Sequence, residues 1–166
     1  MNDAVVKALN DQIRKELHSA YIYLAMAAHF EAEAFEGFAH WMKLQAQEEV
    51  AHAMKLYTWV LRRGERVVLQ AIDAPPSTWG TPLSVFQAAL DHEKKVTASI
   101  HALFHLAAEH KDVATQRELD WFVTEQVEEE ENAGRAVELL SKAGDSDAAL
   151  LMLDRVFGER TGEDQE

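Results

Sequence analysis

The sequence contains no cysteine, and this absence excludes several kinds of protein. A chain without thiols forms no disulfides and holds neither iron–sulfur clusters nor thiolate-bound zinc, so we expect a cytoplasmic protein. Long uninterrupted apolar runs are also missing, and the N-terminal segment carries a charge every few residues. We therefore expect neither a secretory signal nor a membrane span.

Positive charge is scarce as well. The chain has 16 lysines and arginines against 29 aspartates and glutamates, which gives a formal net charge of −13. Proteins that bind nucleic acid normally present a concentrated basic surface to the phosphates, so we expect no nucleic acid partner. Cations are the more natural ligands, and the alternative is an acidic surface that only maintains solubility.

Proline and glycine interrupt the chain rarely, and between them apolar residues recur at steps of three or four. This spacing is typical of amphipathic helices. A first helix through Val5 and Phe30 pauses at 34–37, and a second follows from Phe38 to Gly64. Further helices are predicted at 82–110, 112–144 and 146–158, and the acidic tail 159–166 is expected to be frayed.

All three prolines fall in 67–82, between the second and third helices. This connection is longer than a tight turn needs, so we expect it to cross the length of the bundle. The fold class is then all-α, a four-helix bundle with one long crossover and a short fifth helix, in a single domain of 1–166. The fifth helix has a wide apolar face, which we expect to pack on the bundle or on other chains: Leu150, Leu151, Leu153, Val156 and Phe157.

Glutamates interrupt the apolar stripes that should face the core, about midway along each long helix. A single one of these is as well explained by a glutamate on the helix surface, but their coincidence on four helices is not. The inward set, with one histidine and one glutamine, is Glu16, Glu49, His52, Glu93, Glu125, Gln126 and Glu129.

Buried carboxylates cost several kcal/mol each unless they are neutralised, and the stripes supply no lysine or arginine. Protonation would neutralise some of them. A pair of divalent cations would neutralise more and would also explain His52, one turn after Glu49. Carboxylate oxygens with one imidazole suit iron or manganese, so the spacing predicts a dinuclear site bridged by Glu49.

The stretches ELHSAYIYLAM, AQEEVAHAM and WFVTEQVEEE, together with Glu93, resemble the non-haem ferritins of bacteria over nearly the whole chain. The resemblance implies a ferritin-like fold and a hollow shell of 24 identical subunits. It further implies ferroxidase activity, in which Fe(II) is oxidised by dioxygen or hydrogen peroxide, and storage of Fe(III) mineral inside the shell.

The resemblance also assigns roles to the inward residues. It implies a first iron on Glu16, Glu49 and His52, and a second on Glu49, Glu93 and Glu129. Gln126 would lie beside the oxygen-binding space, and Tyr23 and Trp121 beside the centre. A third iron would use Glu48, Glu125, Glu128 and Glu129.

Two departures separate the chain from the related bacterioferritins. Those proteins have a methionine after the bridging glutamate and a histidine in the second Glu-x-x-His motif, whereas this chain has Val50 and Glu129. We therefore expect no haem.

Four further alternatives stay open at this point. A di-iron oxidase or peroxidase of the same bundle type would not mineralise, and a shell with an incomplete centre would only assist nucleation. Tyr23 is either an ordinary buried phenol or a redox group. A line of surface residues could bind metal but is more simply interpreted as solvated: His101, His105 and Glu109.

Overall fold

The computed structural model describes residues 1–162, and within them the chain folds into five helices and no strand. The helices are α1 (Asp3–Ala32), α2 (Glu36–Arg62), α3 (Pro82–Glu109), α4 (Val113–Ala143) and α5 (Asp147–Phe157). The predicted all-α bundle with a short fifth helix is confirmed. None of these helices has the length and apolar character needed to cross a membrane.

The helix starts follow local side-chain chemistry. Thr81, Asp112 and Ser146 each accept a hydrogen bond from the backbone N–H three residues later, at 3.1 to 3.3 Å. Each side chain satisfies a backbone donor that the first turn leaves unpaired, which is worth about 1 kcal/mol. At the other end of α4, Gly144 has a φ of 55°, a conformation that favours glycine.

The crossover between α2 and α3 runs along α1. Near its start, the Asn10 side chain donates to the carbonyl of Arg66 at 3.2 Å and accepts from the N–H of Val68 at 2.7 Å. Near its end, His29 Nε2 lies 2.8 Å from the carbonyl oxygen of Gly80. Asn10 and His29 are separated by roughly 28 Å of helix, so the connection spans the bundle as predicted.

The apolar core is divided into two clusters along the bundle. One contains Phe30, Phe38 and Phe86, with ring centroids 5.2 to 5.8 Å apart. The other contains Leu56, Phe122 and their neighbours at the opposite end of the bundle. The mid-helix polar residues lie between the two clusters.

Helix α5 buries only part of its apolar face on its own chain. Leu153 and Phe157 are buried in the first cluster, and the Phe157 ring lies 5.2 Å from that of Phe38. Leu151, Met152 and Val156 are exposed, at 51 to 63% of their accessible surface. This remaining apolar surface is available to other chains.

The expectation of a frayed tail does not hold for Arg160, because its side chain is held by Glu48 and Gln45 on α2. Residues 163–166 of the predicted tail lie outside the described residues.

A candidate metal centre

The polar layer lies at mid-length in all four long helices. Its fully buried members come from each of them: Glu16 on α1, Glu49 and His52 on α2, Glu93 on α3, and Gln126 and Glu129 on α4. Each has at most 4% of its surface exposed. They lie inward because they occupy the same helical faces as the apolar stripes, as the three- and four-residue spacing predicts.

Three of these residues form a first cluster of potential metal ligands. One donor atom each from Glu16, Glu49 and His52 lies within 4.8 Å of the other two. His52 Nδ1 is 3.7 Å from Glu49 Oε2, which is an ion-pair distance but too long for a hydrogen bond. Gln12 Nε2 donates to Glu16 Oε1 at 2.7 Å.

The remaining oxygens of this cluster are unsatisfied. Glu16 Oε2 and both oxygens of Glu49 are buried and have no hydrogen-bond partner in the described part of the chain. Buried polar atoms in this state are uncommon and costly, unless a proton or a cation satisfies them. Carboxylate oxygens beside an imidazole form the donor set that iron and manganese accept, so the residues fit such an ion.

His52 also belongs to a second cluster, with Glu125 and Glu129. His52 Nε2 is 3.8 Å from Glu125 Oε1. Because its two ring nitrogens face different carboxylates, a metal bound through one nitrogen leaves the other directed at an acceptor, which fixes the ring orientation. Glu129 Oε2 accepts a hydrogen bond from Gln45 Nε2 at 2.8 Å.

Glu93 is in neither of the clusters found among residues 1–162. The hydroxyl of Tyr23 donates to Glu93 Oε1, and Gln126 Nε2 donates to Glu93 Oε2 at 3.2 Å. Tyr23 thus has the one partner that a buried phenol requires. Gln126 Nε2 also lies 3.3 Å from the hydroxyl of Thr97, which helps to hold the amide in place beside Glu93.

Burial controls the protonation of the centre. It raises the pKa of Glu49, and the nearby charge of Glu93 raises it further. The same two causes raise the pKa of Glu129 to about 8. Burial opposes the positive charge of His52, but the carboxylates of Glu125 and Glu49 outweigh it and raise its pKa to about 11. At neutral pH, a metal entering the metal-free centre must therefore displace protons.

The other predicted residues lie further out. Glu48 belongs to neither cluster of the described chain and pairs with Arg160. Glu128 is exposed and outside both clusters as well. Trp121 packs edge-on against His52 with ring centroids 5.4 Å apart, and the ammonium of Lys55 lies 4.0 Å from its ring centroid.

The structure adds three residues that the sequence interpretation missed. Gln12 and Gln45 lie one turn before Glu16 and Glu49, so the same four-residue spacing could have identified them. Arg160 had no such signal, because it comes from the C-terminal segment and reaches α2 only through the tertiary fold.

The surface line on α3 joins none of the metal-capable clusters within 1–162, and its members are exposed: His101, His105 and Glu109. This agrees with their interpretation as solvated residues.

A helical bundle with one long crossover and a mid-bundle layer of carboxylates with one histidine defines a class of metal-binding bundle proteins. A family model described as the ferritin-like domain matches residues 6–143. The chain belongs to this family, as the resemblance in its sequence indicates.

Relatives of known name extend the match to nearly the whole chain. A bacterial non-heme ferritin of Bacteroides fragilis strain 638R is 42% identical over 160 residues, which are 96% of this chain and 99% of the relative. One from Staphylococcus aureus strain USA300 is 36% identical and is covered to 97%, as is this chain. The solved structure of an open pore ferritin from the archaeon Archaeoglobus fulgidus superposes with a TM-score of 0.96 at 45% identity. The superposition covers 97% of this chain and 99% of the archaeal chain.

Proposed function

We propose that this protein stores iron and is a ferroxidase, oxidising Fe(II) at the mid-bundle centre and holding Fe(III) mineral inside a shell of identical subunits. The observation that carries the proposal is the first cluster: three carboxylate oxygens of Glu16 and Glu49 are buried beside His52 and have no hydrogen bond within residues 1–162. The names of the relatives, all non-heme ferritins or ferritins, support iron as the substrate.

In this proposal two Fe(II) ions bind side by side. Glu16 and His52 hold the first, Glu93 and Glu129 hold the second, and Glu49 bridges them. The unpaired state of both Glu49 oxygens supports the bridging role, since one carboxylate can offer one oxygen to each ion. The second Fe(II) requires the Glu93 carboxylate, which Tyr23 and Gln126 orient.

The chemistry is a two-electron transfer. Each Fe(II) gives up one electron to become Fe(III), and dioxygen takes both electrons with two protons to become hydrogen peroxide. The anionic oxygen shell favours the higher charge of Fe(III). His52 and Glu129 hold protons in the metal-free centre and lose them as Fe(II) binds, because their pKa values are raised.

The storage part of the proposal requires a closed assembly, for which we propose 24 copies. The exposed apolar residues of α5, Leu151, Met152 and Val156, support burial against other chains. The third iron position that the resemblance implies, on Glu48, Glu125, Glu128 and Glu129, is not part of the proposal. Glu125 and Glu129 lie together with His52, but Glu48 is paired with Arg160 and Glu128 is exposed.

The test is stopped-flow absorbance of Fe(III) formation, with Fe(II) added aerobically in steps to metal-free protein. We expect a fast phase that saturates near about two irons per chain, followed by slower uptake that stays in solution. Glu49→Ala should abolish the fast phase and leave the shell assembled, because it removes a repulsive buried carboxylate.

Glu131→Ala is the matched control, since Glu131 is an exposed carboxylate on α4. It should behave like the wild type. Unchanged fast oxidation in Glu49→Ala would refute Glu49 as the bridge. Fast oxidation by a monomer or dimer, without soluble mineral, would favour a di-iron oxidase or peroxidase instead.

A further inference from the structure

Arg160 reaches back from the segment after α5 to the edge of the metal centre. Its Nη2 donates to both carboxylate oxygens of Glu48, at 3.1 and 2.9 Å, and its Nη1 donates to Gln45 Oε1 at 2.5 Å. The guanidinium carbon also lies 4.8 Å from the ring centroid of Trp41. Only 19% of the Arg160 side chain and 13% of the Glu48 side chain are exposed, so this ion pair is largely shielded from water.

The backbone of the same segment is fixed as well. His40 Nε2 lies 2.9 Å from the carbonyl oxygen of Arg160. Upstream, Asp154 Oδ1 accepts a hydrogen bond at 2.8 Å from the N–H of Phe38, at the start of α2. The guanidinium is therefore delivered to Glu48 by a segment that is attached to the beginning of α2 at Asp154 and at Arg160 itself.

A short chain of contacts joins Arg160 to the ligands of the centre. Gln45 accepts from Arg160 through its oxygen and donates through its nitrogen to Glu129 Oε2 at 2.8 Å. Glu129 belongs to the cluster with His52 and Glu125. Arg160 thus places a permanent positive charge, through Glu48 and Gln45, on the side of the centre where a further cation would bind.

We propose that the Arg160 guanidinium takes the place of a third metal ion at Glu48 and so limits the centre to two metals. A metal at Glu48 would need the carboxylate oxygens that Arg160 now uses, and it would be repelled by the guanidinium charge. The inference rests on the proposed function, because it assumes that the first cluster binds metal. It makes Arg160 a positioning residue, which sets the number of metals rather than reacting with substrate.

Zinc is a suitable probe because it occupies carboxylate–imidazole sites without changing oxidation state. Crystals of the assembled protein soaked in zinc, measured at the zinc absorption edge, locate and count the bound ions. In the wild type we expect zinc at the Glu49 bridge, with Arg160 still on Glu48. A third zinc ion on Glu48 with Arg160 displaced would overturn the proposal without any variant.

Arg160→Gln should admit a third zinc ion at Glu48. In calorimetric titration the affinity of this position should rise about ten- to hundredfold, the amount expected when a charge-assisted hydrogen-bonded competitor is removed. Arg155→Gln is the matched control, because Arg155 is an exposed arginine on α5, and it should leave the metal count at the wild-type value. Adding Glu48→Gln to Arg160→Gln should remove the third ion again.

A purely structural role for Arg160 would alter thermal stability but not the number of zinc ions, so an unchanged count in Arg160→Gln would overturn the proposal. A third ion that also appears in Arg155→Gln would overturn it too, because general loss of charge would then be the cause. If no zinc binds near Glu49 in any variant, both this proposal and the proposed function fail. If zinc binds near Glu49 with an unchanged count, only this proposal fails.

Discussion

Glu129→Gln should stabilise the metal-free protein at neutral pH, and the gain should depend on pH. Glu129 is buried among other carboxylates, which raises its pKa from 4.5 to about 8. A carboxyl group with a raised pKa binds more protons in the folded than in the unfolded state. Its unfavourable contribution to the free energy of unfolding is therefore absent below about pH 4.5 and grows as the pH rises towards 8.

The size of the effect follows from these two pKa values. At pH 7, which is about 2.5 units above the pKa of an unfolded-state glutamate, the raised pKa of Glu129 lowers the free energy of unfolding by about 3 kcal/mol. At pH 5 it lowers the free energy of unfolding by less than about 1 kcal/mol. Glutamine does not titrate and keeps a carbonyl oxygen for the hydrogen bond from Gln45. The variant should therefore be more stable by these amounts, or by about 6–12 °C in apparent Tm at pH 7 for a chain of this length.

The assay is differential scanning calorimetry of the metal-free protein between pH 5 and pH 8. Glu138→Gln is the control, because Glu138 is an exposed carboxylate on the same helix, paired with Lys142. It should show no gain that grows with pH. Saturating zinc should raise the Tm of the wild type more than that of Glu129→Gln. The reasoning is refuted if Glu129→Gln melts below the wild type at pH 7, or if the gap is equal at pH 5 and pH 7.

Two further predictions concern protons and packing. Zinc binding at pH 7 should release about two protons per chain from His52 and Glu129, whose pKa values are about 11 and 8, and any further proton held by Glu49, whose pKa is also raised. Titration calorimetry in buffers of different ionisation enthalpy measures the release, and no release would contradict the prediction. Gly37→Ala should lower the Tm and loosen α5, because its Cβ would lie 1.7 Å from the carbonyl oxygen of Asp154. Gly134→Ala, with open space at its Cβ, should instead stabilise by about 0.5–1 kcal/mol.

The fold could be predicted from local signals. Apolar spacing gives the helices, the hydroxyl and carboxylate caps at Thr81, Asp112 and Ser146 mark three helix starts, and clustered prolines mark the crossover. The path of the crossover along α1 also agreed with its length. These features depend on residues close together in the sequence, which is why single-sequence patterns are sufficient for them.

The centre could be predicted only in part. The three- and four-residue spacing predicts that Glu16, Glu49 and Glu129 face inward, because a shift of one position along the helix would turn each side chain away from the apolar stripe. The spacing within one helix does not predict which side chains of two different helices form a hydrogen bond. The hydrogen bond from the Tyr23 hydroxyl to Glu93 is therefore seen only in the structure. Arg160 was missed for the same reason, since its pairing spans more than a hundred residues of sequence.

The donors around the layer explain why Glu49 is the best candidate for the bridge. The other buried carboxylates are each held by neutral or phenolic donors: Gln12 on Glu16, Tyr23 and Gln126 on Glu93, and Gln45 on Glu129. Such donors fix the position of a carboxyl group without supplying a positive charge, so the ligands of the proposed centre are oriented before a cation binds. Glu49 differs, because neither of its oxygens has a hydrogen-bond donor within the described chain. In the proposed centre the gain on binding metal would therefore be largest at Glu49, whereas Arg160 supplies its charge at the edge, to Glu48, away from the proposed bridge.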